Sequence, residues 1–151
     1  FLDEKLALEG RGYTGGCEKC YMDNKSAYYR CEDCFDLRMM CADCIVGQHQ
    51  PNPFHWIQKW DGSSFVRVSL KELGLQVVLG HPLGTKCDNP KSSDKLEYVV
   101  LDTNGIHVIS LSYCECASAT DPFAQFLQMR LFPATVTYPR TAATFRLLQS
   151  F

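Results

Sequence analysis

The first third of the chain carries three cysteine pairs of the form Cys-x-x-Cys, followed by two histidines. Each pair places two thiolates on one side of a tight turn, at a spacing that a tetrahedral Zn²⁺ ion accepts. Together these side chains supply enough ligands to close two four-coordinate sites, with no position left for water. Closed sites stabilise a fold rather than catalyse a reaction. The residues are Cys17, Cys20, Cys31, Cys34, Cys41, Cys44, His49 and His55.

The 151-residue chain has nine cysteines, which would also suit a small disulfide-bonded domain. An odd number leaves one thiol unpaired, and disulfides give no reason for the histidines that follow the cysteine pairs. The spacing therefore favours zinc. Because thiols persist in reducing compartments, zinc binding indicates the cytosol or the nucleus.

Spacing alone leaves two ways to share the ligands between two ions. A sequential scheme gives one all-cysteine site and then one site of two cysteines and two histidines. An interleaved scheme joins the first and third cysteine pairs around one ion. The alternative for His49 and His55 is a pair of surface histidines in a loop rich in Pro and Asn, but the second site then lacks half its ligands. The interleaved sets are Cys17, Cys20, Cys41 and Cys44, and Cys31, Cys34, His49 and His55.

The remaining cysteines suggest a third site. Cys114 and Cys116 are two residues apart, so in a strand both point to the same face, and Cys87 lies in a preceding loop. His81 and His107 are candidates for the fourth ligand. His107 lies on the same predicted strand, roughly 23 Å from Cys114 if extended, and on the opposite face. We therefore expect His81, with His107 as the alternative. Three unrelated buried cysteines are the competing interpretation.

The rest of the chain reads as short strands and short helices. Asp61-Gly62-Ser63-Ser64 and Asp102-Thr103-Asn104-Gly105 each predict a hairpin turn, between strands at 55–60 and 65–69 and at 96–101 and 106–113. Residues 77–79 predict a buried strand and 84–94 a loop. Short helices are predicted at 40–48, after the Ser69–Glu72 capping box, at 123–131 and through 144–148.

Composition gives no support to nucleic-acid binding or to membrane insertion. The chain is 46% hydrophobic with a formal charge of −2, typical of a globular protein, and no run of basic residues marks a nucleic-acid surface. The sequence contains no long apolar run, so it predicts neither export nor membrane insertion. Since the chain begins with Phe1, we expect it to be part of a longer polypeptide.

The order of three cysteine pairs and a terminal histidine pair resembles ZZ and B-box zinc fingers, as does the local string Tyr29-Arg30-Cys31-x-x-Cys34. The resemblance implies the interleaved, cross-brace pairing. RING fingers place a histidine in the middle of the order, which counts against a ubiquitin ligase.

Residues from about 55 to 151 resemble the CxC-type cysteine-cluster domain associated with KDZ (Kyakuja–Dileera–Zisupton) transposases. The resemblance implies a metal-chelating accessory region of a nuclear mobile-element protein, with the nuclease in another domain of the same polypeptide. The motifs that carry it are Leu73-Gly74-Leu75, Leu79-Gly80-His81-Pro82, Cys87, Asp102-x-Asn104-Gly105-Ile106-His107, Cys114-x-Cys116, Phe132-Pro133-Ala134-Thr135, Pro139-Arg140-Thr141-Ala142 and Thr144-Phe145.

We therefore expect a small α+β, zinc-stabilised fold. A cross-brace ZZ/B-box-like finger precedes a β-hairpin-rich cysteine-cluster domain with C-terminal helices. The expected organisation is a lead-in at 1–16, the double-zinc finger at 17–57, the cysteine-cluster domain at 58–120, and a helical segment at 121–151 that leads toward a transposase domain.

The expected function is non-catalytic recognition, with three zinc ions per chain. A chromatin protein or a basic peptide is the favoured partner, because acidic residues surround the finger's ligands. DNA binding is the alternative, carried by basic residues of the second part. A hydrolase is disfavoured, since no Ser/His/Asp or His-Glu-x-x-His pattern occurs. The acidic residues are Glu18, Glu32, Asp33, Asp36 and Asp43; the basic ones are Lys86, Lys91, Lys95, Arg130, Arg140 and Arg146.

Overall fold

The computed structural model describes residues 1–12, 16–92 and 97–151, which form two compact units, Phe1–Leu73 and Gly74–Phe151. Lys95 and Leu96, predicted as a DNA contact and as the start of a strand, lie outside the described residues, as do positions 93 and 94 of the predicted loop. Within the described ranges, no helix is long and apolar enough to cross a membrane.

Unit 1 (Phe1–Leu73) is built from two short helices and a three-stranded antiparallel sheet in the order β1-β2-β3. The predicted hairpin forms between β2 and β3, with Trp60 opposite Phe65. The side chain of Asp61 fixes its turn by accepting hydrogen bonds from the backbone N–H groups of Ser63 and Ser64. The elements are α1 (Leu2–Glu9), β1 (Tyr29–Cys31), α2 (Ala42–Gln48), β2 (Ile57–Trp60) and β3 (Phe65–Val68).

Two details of unit 1 differ from the sequence expectations. The lead-in contains the helix α1, because Leu, Glu, Lys and Ala, which favour helices, dominate residues 2–9. Ser69 and Glu72 make the hydrogen bonds of a capping box, but the chain forms only a turn there. Gly74 ends that turn at a φ of 90°, so no helix propagates.

Unit 2 (Gly74–Phe151) is a mixed six-stranded sheet with two short helices. The path β4-β7-β6-β9-β8 runs through the sheet, and β5 also pairs with β7. The predicted Asn-Gly hairpin joins β6 to β7, with Asp102 opposite Gly105. The elements are β4 (Gln76–Val78), β5 (Pro90–Ser92), β6 (Tyr98–Asp102), β7 (Gly105–Cys114), α3 (Pro122–Gln128), β8 (Leu131–Pro133), β9 (Thr141–Thr144) and α4 (Phe145–Leu148).

The core of unit 2 forms where α3 packs on the sheet. The ring of Phe126 on α3 is fully buried and lies 5.9 Å from the ring of Tyr113 on β7, edge to face. The side chain of Asp121 accepts a hydrogen bond from the N–H of Ala124 and so caps α3 as its Asp-Pro start predicts. Other buried apolar residues are Leu75, Val77, Leu79, Tyr98, Val100, Ile109, Leu111, Leu131 and Ala142.

The structure corrects three element predictions in unit 2. Residues 90–92 of the predicted loop form β5, which pairs antiparallel with the end of β7. Helix α3 ends at Gln128, and Leu131 begins β8. The predicted last helix is preceded by β9, which pairs with β6 and β8. Each missed strand is three or four residues long and is defined by distant partners, so local sequence carries little signal for it. The predicted class, a small α+β protein, is confirmed.

Candidate metal centres

Helix α2 connects the two candidate metal-binding clusters of unit 1, one of four cysteines and one of two cysteines and two histidines. Cys41 immediately precedes the helix, Cys44 lies in its first turn, and His49 immediately follows its last residue. The helix start therefore faces one cluster and the helix end the other. This arrangement is the interleaved one, because the middle cysteine pair joins the histidines and not its sequence neighbours.

The first cluster is made of thiols only. The ligand atoms of Cys17, Cys20, Cys41 and Cys44 lie within 4.8 Å of one another. The N–H of Cys41 donates to the Sγ of Cys17 at 3.2 Å, which links the two pairs directly. Cys17 and Cys41 are buried, whereas Cys20 and Cys44 are partly exposed.

The thiols of the first cluster differ in acidity. Burial opposes ionisation of Cys17, but the N–H groups of Cys20, Cys41 and Lys19 more than offset it and lower the Cys17 pKa to about 6. Burial, with the neighbouring thiols, raises the Cys44 pKa to about 12. The Cys17 thiolate is thus stabilised at neutral pH, whereas ionisation of Cys44 is opposed. A divalent cation supplies the positive charge that lets all four ionise.

The second cluster joins two thiols to two imidazoles. The ligand atoms of Cys31, Cys34, His49 and His55 also lie within 4.8 Å of one another. The Nε2 of His49 lies 3.5 Å from the Sγ of Cys34. The Nδ1 of His55 lies 3.5 Å and 3.4 Å from the Sγ atoms of Cys31 and Cys34. Burial, with the neighbouring Cys34 thiol, raises the Cys31 pKa to about 12, so a nearby positive charge is needed for this thiol to ionise at neutral pH.

A backbone carbonyl orients His49. Its Nδ1–H donates to the carbonyl oxygen of Ile45 at 2.7 Å, one turn earlier in α2. The other ring nitrogen, Nε2, is therefore the unprotonated one that faces the cluster. The ring is fully buried, and burial lowers the His49 pKa, which keeps the imidazole neutral. A neutral, oriented imidazole is the form that binds a metal ion.

The third cluster lies in unit 2. The ligand atoms of His81, Cys87, Cys114 and Cys116 lie within 4.8 Å of one another. The Nε2 of His81 is 3.1 Å from the Sγ of Cys114 and 3.8 Å from that of Cys116. Hydrogen bonds from Cys114, His81 and Cys87 lower the Cys116 pKa to about 7. The sequence-predicted set is brought together.

His107, the alternative fourth ligand, lies elsewhere. Its Nε2 is 2.8 Å from the Oδ1 of Asn104 in the hairpin turn. Asp102, at the end of β6, is buried and accepts hydrogen bonds from the hydroxyl of Thr144 and the guanidinium of Arg146. His107 therefore contacts the hairpin turn, and Asp102 connects the end of β6 to Thr144 of β9 and Arg146 of α4.

The distances between ligand atoms fit tetrahedral coordination. Zinc bonds of about 2.3 Å to sulfur and 2.0–2.1 Å to nitrogen give tetrahedral edges of about 3.6 Å for S···N and about 3.8 Å for S···S. In the second cluster the S···N separations are 3.4–3.5 Å. In the third, the sulfurs of Cys87 and Cys116 are 3.7 Å apart, and the Nε2 of His81 lies 3.1 Å and 3.8 Å from the sulfurs of Cys114 and Cys116, on either side of the ideal S···N edge. Three groups in this structure can therefore each hold one metal ion.

Two supporting residues of the third cluster were missed by the sequence analysis. Gly80 has a φ of 78°, and a Cβ there would lie 2.8 Å from the Cβ of Cys114, so only glycine lets the chain pass before His81. The buried amide of Gln125 accepts from the N–H of Cys114 and donates to its carbonyl, each at 2.9 Å. The Leu-Gly-His-Pro string marks the glycine, but nothing in the helix pattern marks the glutamine.

The acidic residues of the finger have internal partners. Glu32, Asp36 and Asp43 pair with Arg67, Arg38 and Lys25 respectively. Glu18 accepts from the N–H of Met39, and Asp33 from the N–H of Trp56, each at 2.6 Å. These carboxylates therefore stabilise the finger, and much of their charge is balanced within it.

The fold and the clusters define a small α+β protein of the cysteine/histidine metal-binding class, with three closed clusters in the described part of the chain. The chain belongs to the family of CxC2-like cysteine clusters associated with KDZ transposases, whose family model matches residues 70–151. This confirms the resemblance seen in the sequence. The match includes the third cluster, and the ZZ/B-box-like finger precedes it. No curated protein and no solved structure matches the chain. The family is an accessory cysteine cluster and not a catalytic domain.

Proposed function

We propose that this chain is a zinc-stabilised, non-catalytic recognition module of a KDZ-transposase protein, which works in the nucleus beside a transposase domain of the same polypeptide. The supporting observation is the presence of three four-residue clusters in a member of the CxC2 family. The proposed ligands are Cys17, Cys20, Cys41 and Cys44; Cys31, Cys34, His49 and His55; and His81, Cys87, Cys114 and Cys116.

Zinc is the proposed metal because of the ligand types. Sets of four thiolates, two thiolates with two imidazoles, and three thiolates with one imidazole are the structural zinc sets of proteins. Soft thiolates select against Mg²⁺ and Ca²⁺, which prefer oxygen ligands. Four protein ligands leave no coordination position for water, so the sites support the fold and do not activate a nucleophile.

The proposed partner is a protein that presents a basic peptide, such as a chromatin protein. With a divalent ion, four thiolates give a formal charge of −2, two thiolates with two imidazoles give 0, and three thiolates with one imidazole give −1. In addition, several cations are engaged by carboxylates and are not available for phosphate. These are Lys25, Arg38, Arg67, Lys91 and Arg146.

A competition between peptide and DNA tests this proposal. The zinc-loaded chain is titrated, by fluorescence anisotropy at two salt concentrations, with a labelled Lys/Arg-rich peptide, a Glu-rich peptide of equal length and a duplex DNA. We expect the basic peptide to bind and the other two to bind at least tenfold more weakly. Strong, salt-dependent DNA binding without peptide binding would replace this function with DNA recognition by the transposase.

A further inference from the structure

A cavity of about 680 Å³ lies beside the third cluster in unit 2. Its size is that of pockets that hold small ligands or single side chains with their flanking backbone. Two ligands of the cluster form part of its wall, and aromatic rings form another part. The lining residues used below are Tyr98, Tyr113, Tyr138, Cys114, Cys116, Lys91 and Glu115.

Three tyrosines line this cavity from separate parts of unit 2. The rings of Tyr98 on β6 and Tyr113 on β7 meet edge to face, with centroids 6.1 Å apart, and both residues are buried. The hydroxyl of Tyr113 donates to the carbonyl oxygen of Pro139, which holds the ring in place. Tyr138, in the loop between β8 and β9, is 73% exposed and forms the outer part. Aromatic faces attract cations by their quadrupole.

Tyr138 is held in an uncommon backbone conformation. Its φ is 47°, in the left-handed region that costs a non-glycine residue about 1–2 kcal/mol. Residues kept in such conformations concentrate at binding sites. Tyr138 therefore combines an exposed aromatic ring with a backbone conformation that is typical of ligand sites.

The charges around the cavity favour a cation. Three thiolates and one imidazole on a divalent ion carry a formal −1, and Cys114 and Cys116 bring this charge to the cavity wall. Lys91 and Glu115 balance each other through a 2.7 Å ion pair. That pair also shows that an ammonium group is accommodated at the rim: Glu115 chiefly, and Tyr138 to a smaller extent, raise the pKa of Lys91.

We propose that this cavity binds the cationic side chain of a partner protein, a lysine ammonium or its methylated forms, between the tyrosines and the thiolate cluster. The inference rests on the proposed function in two respects, the metal in the third cluster and the basic peptide partner. In addition, it assigns the binding of the cation to the cavity in unit 2. Phosphate is disfavoured, because the one cationic side chain among the lining residues of the described chain already pairs with Glu115.

NMR of the zinc-loaded chain tests the proposal with three probes. They are Nα-acetyl-Nε-trimethyllysine amide, its neutral analogue with carbon in place of the quaternary nitrogen, and Nα-acetylglutamate amide. We expect the cationic probe to shift the ring signals of Tyr98, Tyr113 and Tyr138 and to bind roughly tenfold more tightly than the neutral one. Equal affinity for the two would overturn the proposal in favour of an apolar pocket, and tighter binding of the glutamate probe would overturn it as well.

Variants at exposed positions give the controls. Tyr138→Ala should lower the affinity for the cationic probe roughly tenfold, whereas Tyr138→Phe should leave that affinity unchanged. Tyr21→Ala is the matched control, since Tyr21 is 79% exposed and also left-handed, at a φ of 55°, but lies in unit 1. Lys91→Ala should raise the affinity for the cationic probe, because the Glu115 carboxylate loses its ion-pair partner and can attract the probe instead. A weaker affinity in Lys91→Ala, or an unchanged one in Tyr138→Ala, contradicts the proposal.

The same variants separate this inference from the proposed function. One outcome is that a basic peptide binds the chain but shifts only the NMR signals of unit 1, with the same affinity in Tyr138→Ala as in wild type. That result would overturn the cavity as the binding site while leaving the recognition function intact. Failure of every basic peptide, with zinc content unchanged, would overturn the recognition function itself.

Discussion

The two units bury different kinds of side chain. In unit 1, side chains of the two clusters are a large part of the interior: Cys17, Cys31, Cys41 and His49 are all buried. In unit 2, only Cys114 of the third cluster is buried, and the interior is aliphatic and aromatic. In unit 1 the cluster side chains share the interior with a small set of apolar residues, whereas in unit 2 they lie at the margin of a larger apolar core.

The sheets differ in the same direction. The strands of unit 1 have three or four residues each and form one small sheet. Strand β7 of unit 2 has ten residues and pairs with β4, β5 and β6. Short strands with little apolar area cannot offset the entropy cost of folding. We therefore expect a bound metal to support the whole of unit 1 but only the region around the third cluster in unit 2.

Metal removal should therefore affect the units very unequally. Structural zinc contributes about 10–16 kcal/mol per site at neutral pH, so a chelator should unfold unit 1. Unit 2 should keep its sheet and loosen only around the third cluster. Hydrogen exchange reports both: the amides of Glu32 and Trp60, bonded across the finger, should lose protection, whereas those of Val99 and Ala134, away from the third cluster, should retain it. Equal loss of protection in both units would contradict the claim that unit 1 depends on metal more than unit 2 does.

Within unit 1, single-ligand variants should remove one ion and not the other. Cys41→Ser should disrupt the site of Cys17 and Cys20, with Cys34→Ser as the matched variant for the second site. Cobalt-substituted protein distinguishes a four-thiolate from a two-thiolate, two-imidazole site by its absorption bands. Loss of the histidine-containing site in Cys41→Ser would show that the ligands pair sequentially.

A single methyl group should weaken the third cluster selectively. Gly80→Ala places a Cβ 2.8 Å from the Cβ of Cys114 and 3.0 Å from the Oε1 of Gln125. Overpacking costs about 1–3 kcal/mol in addition to backbone strain, so the affinity for the third zinc should fall. Gly74→Ala is the control, because its φ of 90° is similar and no atom lies within 4 Å. Competition with a chelating dye measures the affinity for zinc. Equal losses of affinity in the two variants would show that the contact of a Cβ at position 80 with Cys114 and Gln125 does not matter for zinc binding.

Several features followed from the sequence because they depend on local chemistry. The Asn104-Gly105 turn and the Asp121-Pro122 helix start need only a few adjacent residues, and both are observed. The three clusters come together in the predicted groups. The Cys-x-x-Cys and Cys-x-Cys spacings keep the two sulfurs of each pair close, whereas the choice of which pairs share a cluster in the finger followed from the resemblance to ZZ and B-box fingers.

The features that were missed depend on distant partners. Strands β5 and β9 exist through pairing with β7 and with β6. Gln125 is polar on a helix and would pass for a surface residue, yet it holds the backbone of Cys114. The acidic residues of the finger suggested an open anionic face, but their partners become visible only after folding.

The smallest expected effect concerns a charge in unit 2. Burial opposes ionisation of Asp102, but Arg146 and Thr144 more than offset it and lower its pKa to about 2. A depressed carboxyl pKa stabilises the fold above the unfolded pKa near 3.9, and this contribution, on the order of 2 kcal/mol, disappears as pH falls toward 2. The stability difference between wild type and Asp102→Asn should shrink over that window. Metal loss at low pH is common to both proteins; a constant difference would refute the assignment.

The central claim is that three closed clusters each hold one zinc ion. Native mass spectrometry of the intact chain, purified under reducing conditions, counts the ions directly and detects disulfides by the loss of two hydrogens for each bond. The account predicts three zinc ions and no disulfide. Two zinc ions would contradict the site at His81, Cys87, Cys114 and Cys116, and disulfides in place of zinc would contradict the account as a whole.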